Sequence, residues 1–486
     1  MYLGIDLGTS GLKLLLSDKQ HHVHASVDAP ITLQRPHALW SEQHPAEWWQ
    51  ALESAVAKLR AAAPQAWSQV RAIGLSGQMH GAVVLGAQSE VLRPAILWND
   101  GRSGAQCEEL ERLVSDSRQI TGNLAMPGFT APKLLWIKEH EPHIFKGIDK
   151  VLLPKDWLRL QLTGECVSEM SDASGTLWLD VGQRCWSERM LAACDLTLAH
   201  MPRLVEGSQP SGNLLPALAK AWGLPDNVMV AGGGGDNAAS AVGVGAARPG
   251  QGFVSLGTSG VVFLVSDVYK PAPELAVHAF AHALPKRWHQ MSVMLSAASA
   301  FGWVTQITGS TDESELSARV AALSPDRRAA APVFLPYLSG ERTPYNNPDA
   351  SGAFIGLRSE HTAADLGYAV MEGVTFGLMD GLRAMGQSEL SSVPLALVGG
   401  GARSDVWAQL LSSGLGCPLE RSDTAHAAAA LGAARLAWLA DGGSEDEVCQ
   451  PLPVAQAFAP DAAQRELLTR RYTRFRALYP ALKTLF

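Results

Sequence analysis

Two carboxylates sit where chemistry would be expected. Asp236 ends the run Val230-Ala231-Gly232-Gly233-Gly234-Gly235-Asp236-Asn237, an apolar strand candidate running into four glycines. Glycines let a ligand approach the carboxyl end of a strand, where open α/β sheets bind substrates. A carboxylate there is placed to act as a general base. A turn whose aspartate caps a helix from Asn237 onward fits the same residues. Asp6 lies in Ile5-Asp6-Leu7-Gly8-Thr9-Ser10-Gly11, between two apolar runs. The hydroxyls of Thr9 and Ser10, with consecutive N–H groups, make a nest for phosphate oxygens. A carboxylate beside that nest would hold a divalent metal through water; the plainer reading is a turn cap.

The pentapeptide Leu-Gly-Thr-Ser-Gly recurs at Leu256–Gly260, 249 positions on, so Gly257, Thr258 and Ser259 repeat Gly8, Thr9 and Ser10. Ser255 stands where the first copy has Asp6, so only the first copy offers a carboxylate. Two such turns facing each other would grip a polyphosphate from both sides. Another run, Leu397-Val398-Gly399-Gly400-Gly401-Ala402-Arg403-Ser404, reads as strand, glycine turn and helix start. Gly399, Gly400 and Gly401 would let a flat base lie on bare backbone, and the helix end near Ser404 favours an anion; glycines used only for packing give the same pattern. In Ser76-Gly77-Gln78-Met79-His80-Gly81, His80 suits a polyol hydroxyl and Met79 its carbon face. A lone turn histidine is more often structural. Trp98, Asn99 and Asp100 in Ile96–Arg102 suit a sugar and an ordinary loop alike, with Asp100 the second carboxylate expected near it.

These residues need elements to hold them. Each copy of the repeat reads as a hairpin of two buried strands, and the pair implies a duplicated domain. Strands are expected at 71–76, 82–86 and 228–232, and helices at 45–62, 104–114, 133–140, 293–307, 363–386 and 404–415, with Ser404 or Asp405 capping the last. The glycine- and alanine-rich stretch 240–252 reads as linker and hinge. The expectation is an α/β chain of two domains, 1–245 and 246–486. A length of 486 residues fits two large domains or roughly three ordinary ones.

Composition narrows the function. Hydrophobic residues at 47% and charged residues at 18% describe a folded globular protein. A net charge of −8 gives no general pull toward nucleic acid or anionic membrane. The six cysteines form no CxxC pair and read as reduced packing residues of a cytoplasmic protein. The opening Met-Tyr-Leu-Gly-Ile-Asp lacks a signal-peptide pattern, and no long apolar run predicts a membrane span. P-loop, dinucleotide, G-x-S-x-G and H-E-x-x-H motifs are absent.

Two long segments then carry a resemblance: Gly128-Phe-Thr-Ala-Pro-Lys-Leu-Leu-Trp-Ile-Lys-Glu-His140 and Gly352–Gly373. With Leu39–Gln43, Ser76–Gly81, Leu153–Trp157 and Gly340–Pro344, the chain resembles the FGGY carbohydrate kinases over nearly its whole length. The resemblance implies two actin-like ATPase (ribonuclease H-like) domains with an interdomain cleft, ATP and Mg²⁺, and phosphoryl transfer to a ketopentose, D-xylulose. It implies Asp236 as catalytic base and Asp6 as the metal-side carboxylate. Met79, His80 and Asn237 would be sugar contacts. Thr9, Ser10, Gly257, Thr258, Ser259, Gly399, Gly400, Gly401 and Ser404 would be nucleotide contacts. The four glycines before Asp236 are one more than the family pattern, and 422–432 departs from it too. Other acceptors (L-ribulose, L-fuculose, gluconate, glycerol) remain the alternative, with a non-enzymatic nucleotide switch behind them. Homodimerisation stays open.

Overall fold

The computed structural model describes residues 1–387 and 392–486. The first half is built on a seven-stranded mixed sheet. Its strands are β1 (Tyr2–Leu7), β2 (Gly11–Ser17), β3 (Val23–Pro30), β4 (Ala72–Gly77), β5 (Pro210–Asn213), β6 (Met229–Ala231) and the two-residue β7 (Gly234–Gly235). The order is β5-β6-β4-β1-β2-β3, with β7 also on β4. β1 and β4 run parallel and are covered on both faces, which is why they read as continuous apolar runs. Asp6 is the one residue of β1 that is not fully buried.

The second half repeats the plan with β8 (Gly252–Leu256), β9 (Gly260–Ser266), β10 (His278–Ala281), β11 (Trp288–Met294), β12 (Leu395–Val398), β13 (Leu419–Arg421) and β14 (Gln456–Phe458), ordered β10-β11-β9-β8-β12-β13-β14. In each sheet an antiparallel hairpin is followed by a parallel neighbour: β1 pairs β2 and β4, and β8 pairs β9 and β12. The repeated pentapeptide forms both hairpin turns.

The helices that matter for the site are α1 (Pro45–Ala62), α2 (Pro154–Thr163), α3 (Met170–Ser174), α4 (Asp236–Gly243), α5 (Ala298–Ile307), α6 (Ala363–Ala384), α7 (Asp405–Leu415) and α8 (Ala428–Ala440). α8, late in the chain, packs on β1, β4 and α4 of the first half. The approach is backbone to backbone. A Cβ on Gly4 would stand 1.8 Å from Ala430 O, one on Gly74 1.8 Å from Ala433 O, and one on Gly432 1.7 Å from Ala239 O. The alanines of 427–434 are the matching small surface, which accounts for the unusual composition of that stretch.

Two expectations are corrected. The segment 293–307 is not one helix: Met294 closes β11 opposite Gly260, and α5 starts only at Ala298. The linker is shorter than 240–252, because Ser240–Gly243 complete α4. Among the described residues no helix is long and apolar enough to cross a membrane.

Candidate active site

Asp236 is the first residue of α4, directly after β7. Sterics explain three of the four glycines. A Cβ would stand 2.3 Å from Glu206 O at Gly232, 2.1 Å from Leu75 O at Gly233, and 2.9 Å from Met79 Cγ at Gly235. Gly233 also takes φ +79°, which an L side chain resists. β7 aligns Gly234 with Ser76 and Gly235 with Gly77, while β1 aligns Asp6 with Ser76. Both carboxylates therefore start from neighbouring strand positions.

Asp236 Oδ1 accepts from Asn237 N at 2.7 Å and Asn237 Nδ2 at 3.0 Å. Oδ2 accepts no hydrogen bond among the described residues. Burial, and then the charge of Asp6, push the Asp236 carboxyl up to about 7. Asp6 accepts from Ser76 Oγ at 2.9 Å. Burial raises its pKa too, opposed by Ser76 and Lys13. Two desolvated carboxylates, one raised by the charge of the other, are a poor structural pair and a good place for a cation or a shared proton. Among the described residues no three His, Cys, Asp or Glu side chains converge as a metal cage.

The turn after β4 carries Met79 and His80. Met79 is buried against Gly235 and Gly175. His80 sits at φ +70°, a strained conformation for this residue. Its Nδ1–H donates to Gly175 O at 2.8 Å. Burial pushes the ring down to about 3, so the imidazole is neutral and Nε2 is an acceptor. The His80 carbonyl is held by Thr130 Oγ1 at 3.0 Å and by the wholly buried Lys133 Nζ at 2.9 Å. Those two residues belong to the long segment 128–140. Phe280, on β10, lies 6.1 Å from the His80 ring, so the second half also lines this spot.

The first phosphate-type turn is partly committed. Thr9 Oγ1 donates to Gln78 Oε1 at 3.0 Å and accepts from Trp98 Nε1 at 2.9 Å, and Thr9 O accepts from Gln43. Ser10 is exposed. In the second turn the Gly257 and Thr258 carbonyls accept the Ala298 and Ala297 amides at the start of α5, and Ser299 Oγ donates to Thr258 O. The hydroxyls of Thr258 and Ser259 have no partner among the described residues. Gly399, at φ +96°, lies against this turn: a Cβ there would be 2.6 Å from Leu256 O and 3.0 Å from Gly257 N. Gly400 and Gly401 form a 3₁₀ turn, and Ser404 caps α7, accepting from Trp407 N. A hollow of about 780 Å³ lies between Gly400–Val406 and the side chains of Ala298, Phe301 and Ser317, a size that suits a nucleoside.

Asp100 is not available for a sugar. Its oxygens accept from Ser41 N, Arg102 N and both Arg102 Nε and Nη2, and it is fully buried. The expectation that placed it at the sugar is corrected. Sequence reasoning missed Ser76, Gln78, Gly175, Ser171 and the β10 residues. Ser76 and Gln78 were visible in the motif; the rest carried no local signal.

A duplicated mixed sheet, a desolvated aspartate at a strand end and a glycine-lined hollow on the other half define an ATP-dependent phosphotransferase of the actin-like class. The models of the FGGY family of carbohydrate kinases, N-terminal and C-terminal domains, match residues 1–243 and 252–440, and the chain belongs to this family. It is 52% identical to the xylulose kinase of Escherichia coli strain K12 over 99% of both chains. It is 50% identical to that of Klebsiella pneumoniae, over 98% of this chain and all of that one. The crystal structure of a "xyloylose kinase" from Brucella ovis superposes with a TM-score of 0.96 at 48% identity, covering both chains completely.

Proposed function

We infer that the protein transfers the γ-phosphoryl of ATP to D-xylulose, giving the 5-phosphate. The full-length likeness to xylulose kinases carries the choice of substrate; the free Oδ2 of a desolvated Asp236 carries the chemistry. Asp236 receives or orients the proton of the attacking hydroxyl. A carboxylate whose pKa sits near the working pH is the efficient form of such a base, worth about 10²–10⁴-fold. Because the transition state for phosphoryl transfer is loose, alignment of the hydroxyl with the phosphorus matters more than basicity. His80 Nε2 accepts from a sugar hydroxyl, Met79 packs on its carbons, and Asn237 holds Asp236 by Oδ1 and so keeps Oδ2 turned free. Thr258, Ser259 and the nearby amides supply donors to the phosphates, and Gly399–Ser404 receives the nucleoside.

Asp6 fits Mg²⁺, which is typically held by one or two carboxylates, waters and substrate phosphates rather than by a protein cage. When bound there the ion would neutralise phosphate charge; Asp6 would hold it, and Ser76 would fix Asp6. A coupled ADP-release assay across D-xylulose, L-ribulose, L-fuculose, gluconate and glycerol tests the reading. The highest kcat/KM is expected with D-xylulose; a more efficient turnover of any other acceptor overturns the substrate. Asp236→Ala is expected to lower kcat by about 10²-fold or more with the fold intact. Near-wild-type kcat would place the base elsewhere.

A further inference from the structure

The short helix α3 touches three parts of the cleft at once. Ser171, wholly buried, accepts the Gly235 N–H at 3.0 Å, one residue before Asp236. Its own proton goes to the Glu169 carboxylate, at 2.8 and 2.9 Å, so its hydroxyl orientation is fixed. Glu169 is fixed in turn by the Ser171 and Asp172 amides, at 2.7 and 2.8 Å. Lys155, on α2, lies 3.4 Å from Glu169, 3.0 Å from Asp172 and 2.7 Å from Asp156, all with no side-chain exposure. Arg159, also on α2, donates to Gly232 O at 2.5 Å. The glycine run is thus gripped at both ends, Gly232 by its carbonyl and Gly235 by its amide.

At the other end of α3, the Gly175 carbonyl takes the Nδ1 proton of His80. In between, Ser174 Oγ accepts Ala281 N from β10 at 3.0 Å. A buried ionic cluster adds little net stability over apolar packing of the same volume. Here its contacts end on the two backbone groups that aim Asp236, and the short helix it anchors carries the carbonyl that sets the tautomer of His80.

We propose that α3 is a positioning element that sets Asp236 and His80 in register, Ser171 acting on Asp236 through Gly235 and Gly175 acting on the His80 ring. The proposal rests on the reading of Asp236 as base and of His80 as a sugar contact. It divides the two jobs. Losing the Ser171 hydroxyl frees the loop of the base and leaves the sugar pocket. A Cβ on Gly175 would stand 2.5 Å from His80 Nδ1 and 2.7 Å from Cε1, and so displaces the sugar-reading ring.

The test uses the full-length protein and four variants. The measurements are kcat, KM for ATP, and the D-xylulose dissociation constant and binding stoichiometry by calorimetry. Ser171→Ala should lower kcat about 10-fold or more while sugar affinity and stoichiometry stay within about twofold, since misplacement on the order of 1 Å costs up to about 10² in rate. Gly175→Ala should weaken sugar binding about 10-fold or more. Thr163→Ala, a hydroxyl at the far end of α2 that bonds only Arg159 O and Glu165 N, should leave both within about twofold. The proposal is overturned if Ser171→Ala keeps its kcat, loses stoichiometry in proportion to kcat, or is matched by Thr163→Ala. Should Ser171→Ala not fold, Gly175→Ala decides, and unchanged sugar affinity there overturns it. Asp236→Ala separates the two levels. An inactive Asp236→Ala beside an active Ser171→Ala removes only the role of α3, whereas an active Asp236→Ala removes the base itself.

Discussion

The same five residues, Leu-Gly-Thr-Ser-Gly, close both hairpins, and the two turns differ. In the first, Leu7 pairs with Leu12, leaving Gly8–Gly11 as a four-residue loop tied by Gly8 N to Gly11 O. In the second, Leu256 pairs with Gly260, a loop one residue tighter. The cause is the neighbour. Gly260 must clear Met294, whose Cγ would be 2.7 Å from a Cβ, and the carbonyls of Gly257 and Thr258 are drawn to the start of α5. The first turn has Gln43, Gln78 and Trp98 on Thr9 instead. None of the four turn glycines takes a positive φ, so their value lies in space rather than in handedness. Duplication supplied one turn twice, and the surroundings then made a carboxylate-bearing copy and a donor-only copy.

Making the copies alike is the strongest way to break this division. Asp6→Ser gives the first turn the second turn's residue. It should lower kcat/KM by about 10²-fold or more and raise the Mg²⁺ concentration needed for half-maximal rate. Ser255→Asp does the reverse, setting a carboxylate beside the donor copy. It should raise KM for ATP about 10-fold by like-charge repulsion and leave the sugar constant alone. Steady-state kinetics over an Mg²⁺ titration checks both, and equal effects of the two on Mg²⁺ dependence would break the comparison.

A finer distinction concerns the threonines. Thr258→Val removes an uncommitted hydroxyl and should raise KM for ATP about 5–10-fold, the cost of one hydrogen bond to a charged group. Thr9→Val removes a hydroxyl already shared between Gln78 and Trp98, so its effect on KM for ATP should be the smaller of the two. If Thr9→Val weakens ATP more, the committed turn is the better phosphate donor. The pH profile follows from Asp236. Its base form is lost as pH falls, so kcat/KM should have an acid limb; Mg²⁺ beside Asp6, by offsetting the charge that raises Asp236, should place that limb below 7, and Asp236→Asn should abolish it along with most of the activity.

Much of this was legible in the chain. The repeat announced the duplicated sheet because each hairpin is two buried strands with an unmistakable turn between them. The close-packed turn before Asp236 was legible because glycines cluster where a backbone must pass close to others, and the contacts at Gly232, Gly233 and Gly235 are that crowding. The break at 294–298 was hidden, since Met294 and Ala297 are as apolar as any helix face; only their packing on Gly260 ends the strand there. Asp100 misled because its type suits a sugar, and what consumes it, Arg102 and the Ser41 amide, depends on a loop fold that no local pattern reveals. The grip of α3 on Gly235 spans 64 positions in sequence and could not be read from either end alone.

The smallest expected effect is on stability, and it tests whether burial is what poises Asp236. In the folded chain its carboxyl keeps the proton up to about 7, against an ordinary value of 3.8. Between those two values the folded state binds more protons than the unfolded one, so stability falls as pH rises through that window. Above about pH 7 the ionised, desolvated carboxylate weighs against the fold; below about pH 4 it contributes nothing. Asp236→Asn keeps the acceptor that Asn237 uses and removes the charge. Without ATP or Mg²⁺ it should therefore stabilise the protein at pH 8 by on the order of 1–2 kcal/mol, discounted for water reaching Oδ2, and leave it nearly unchanged at about pH 3.5, below the ordinary value. In a chain of this size that is a Tm rise of roughly 1–4 °C at the higher pH. Ser255→Asn, at a position that carries no charge in either state, should show no such pH dependence. An equal shift at both pH values for Asp236→Asn would mean that packing, and not a desolvated charge, governs the effect at Asp236.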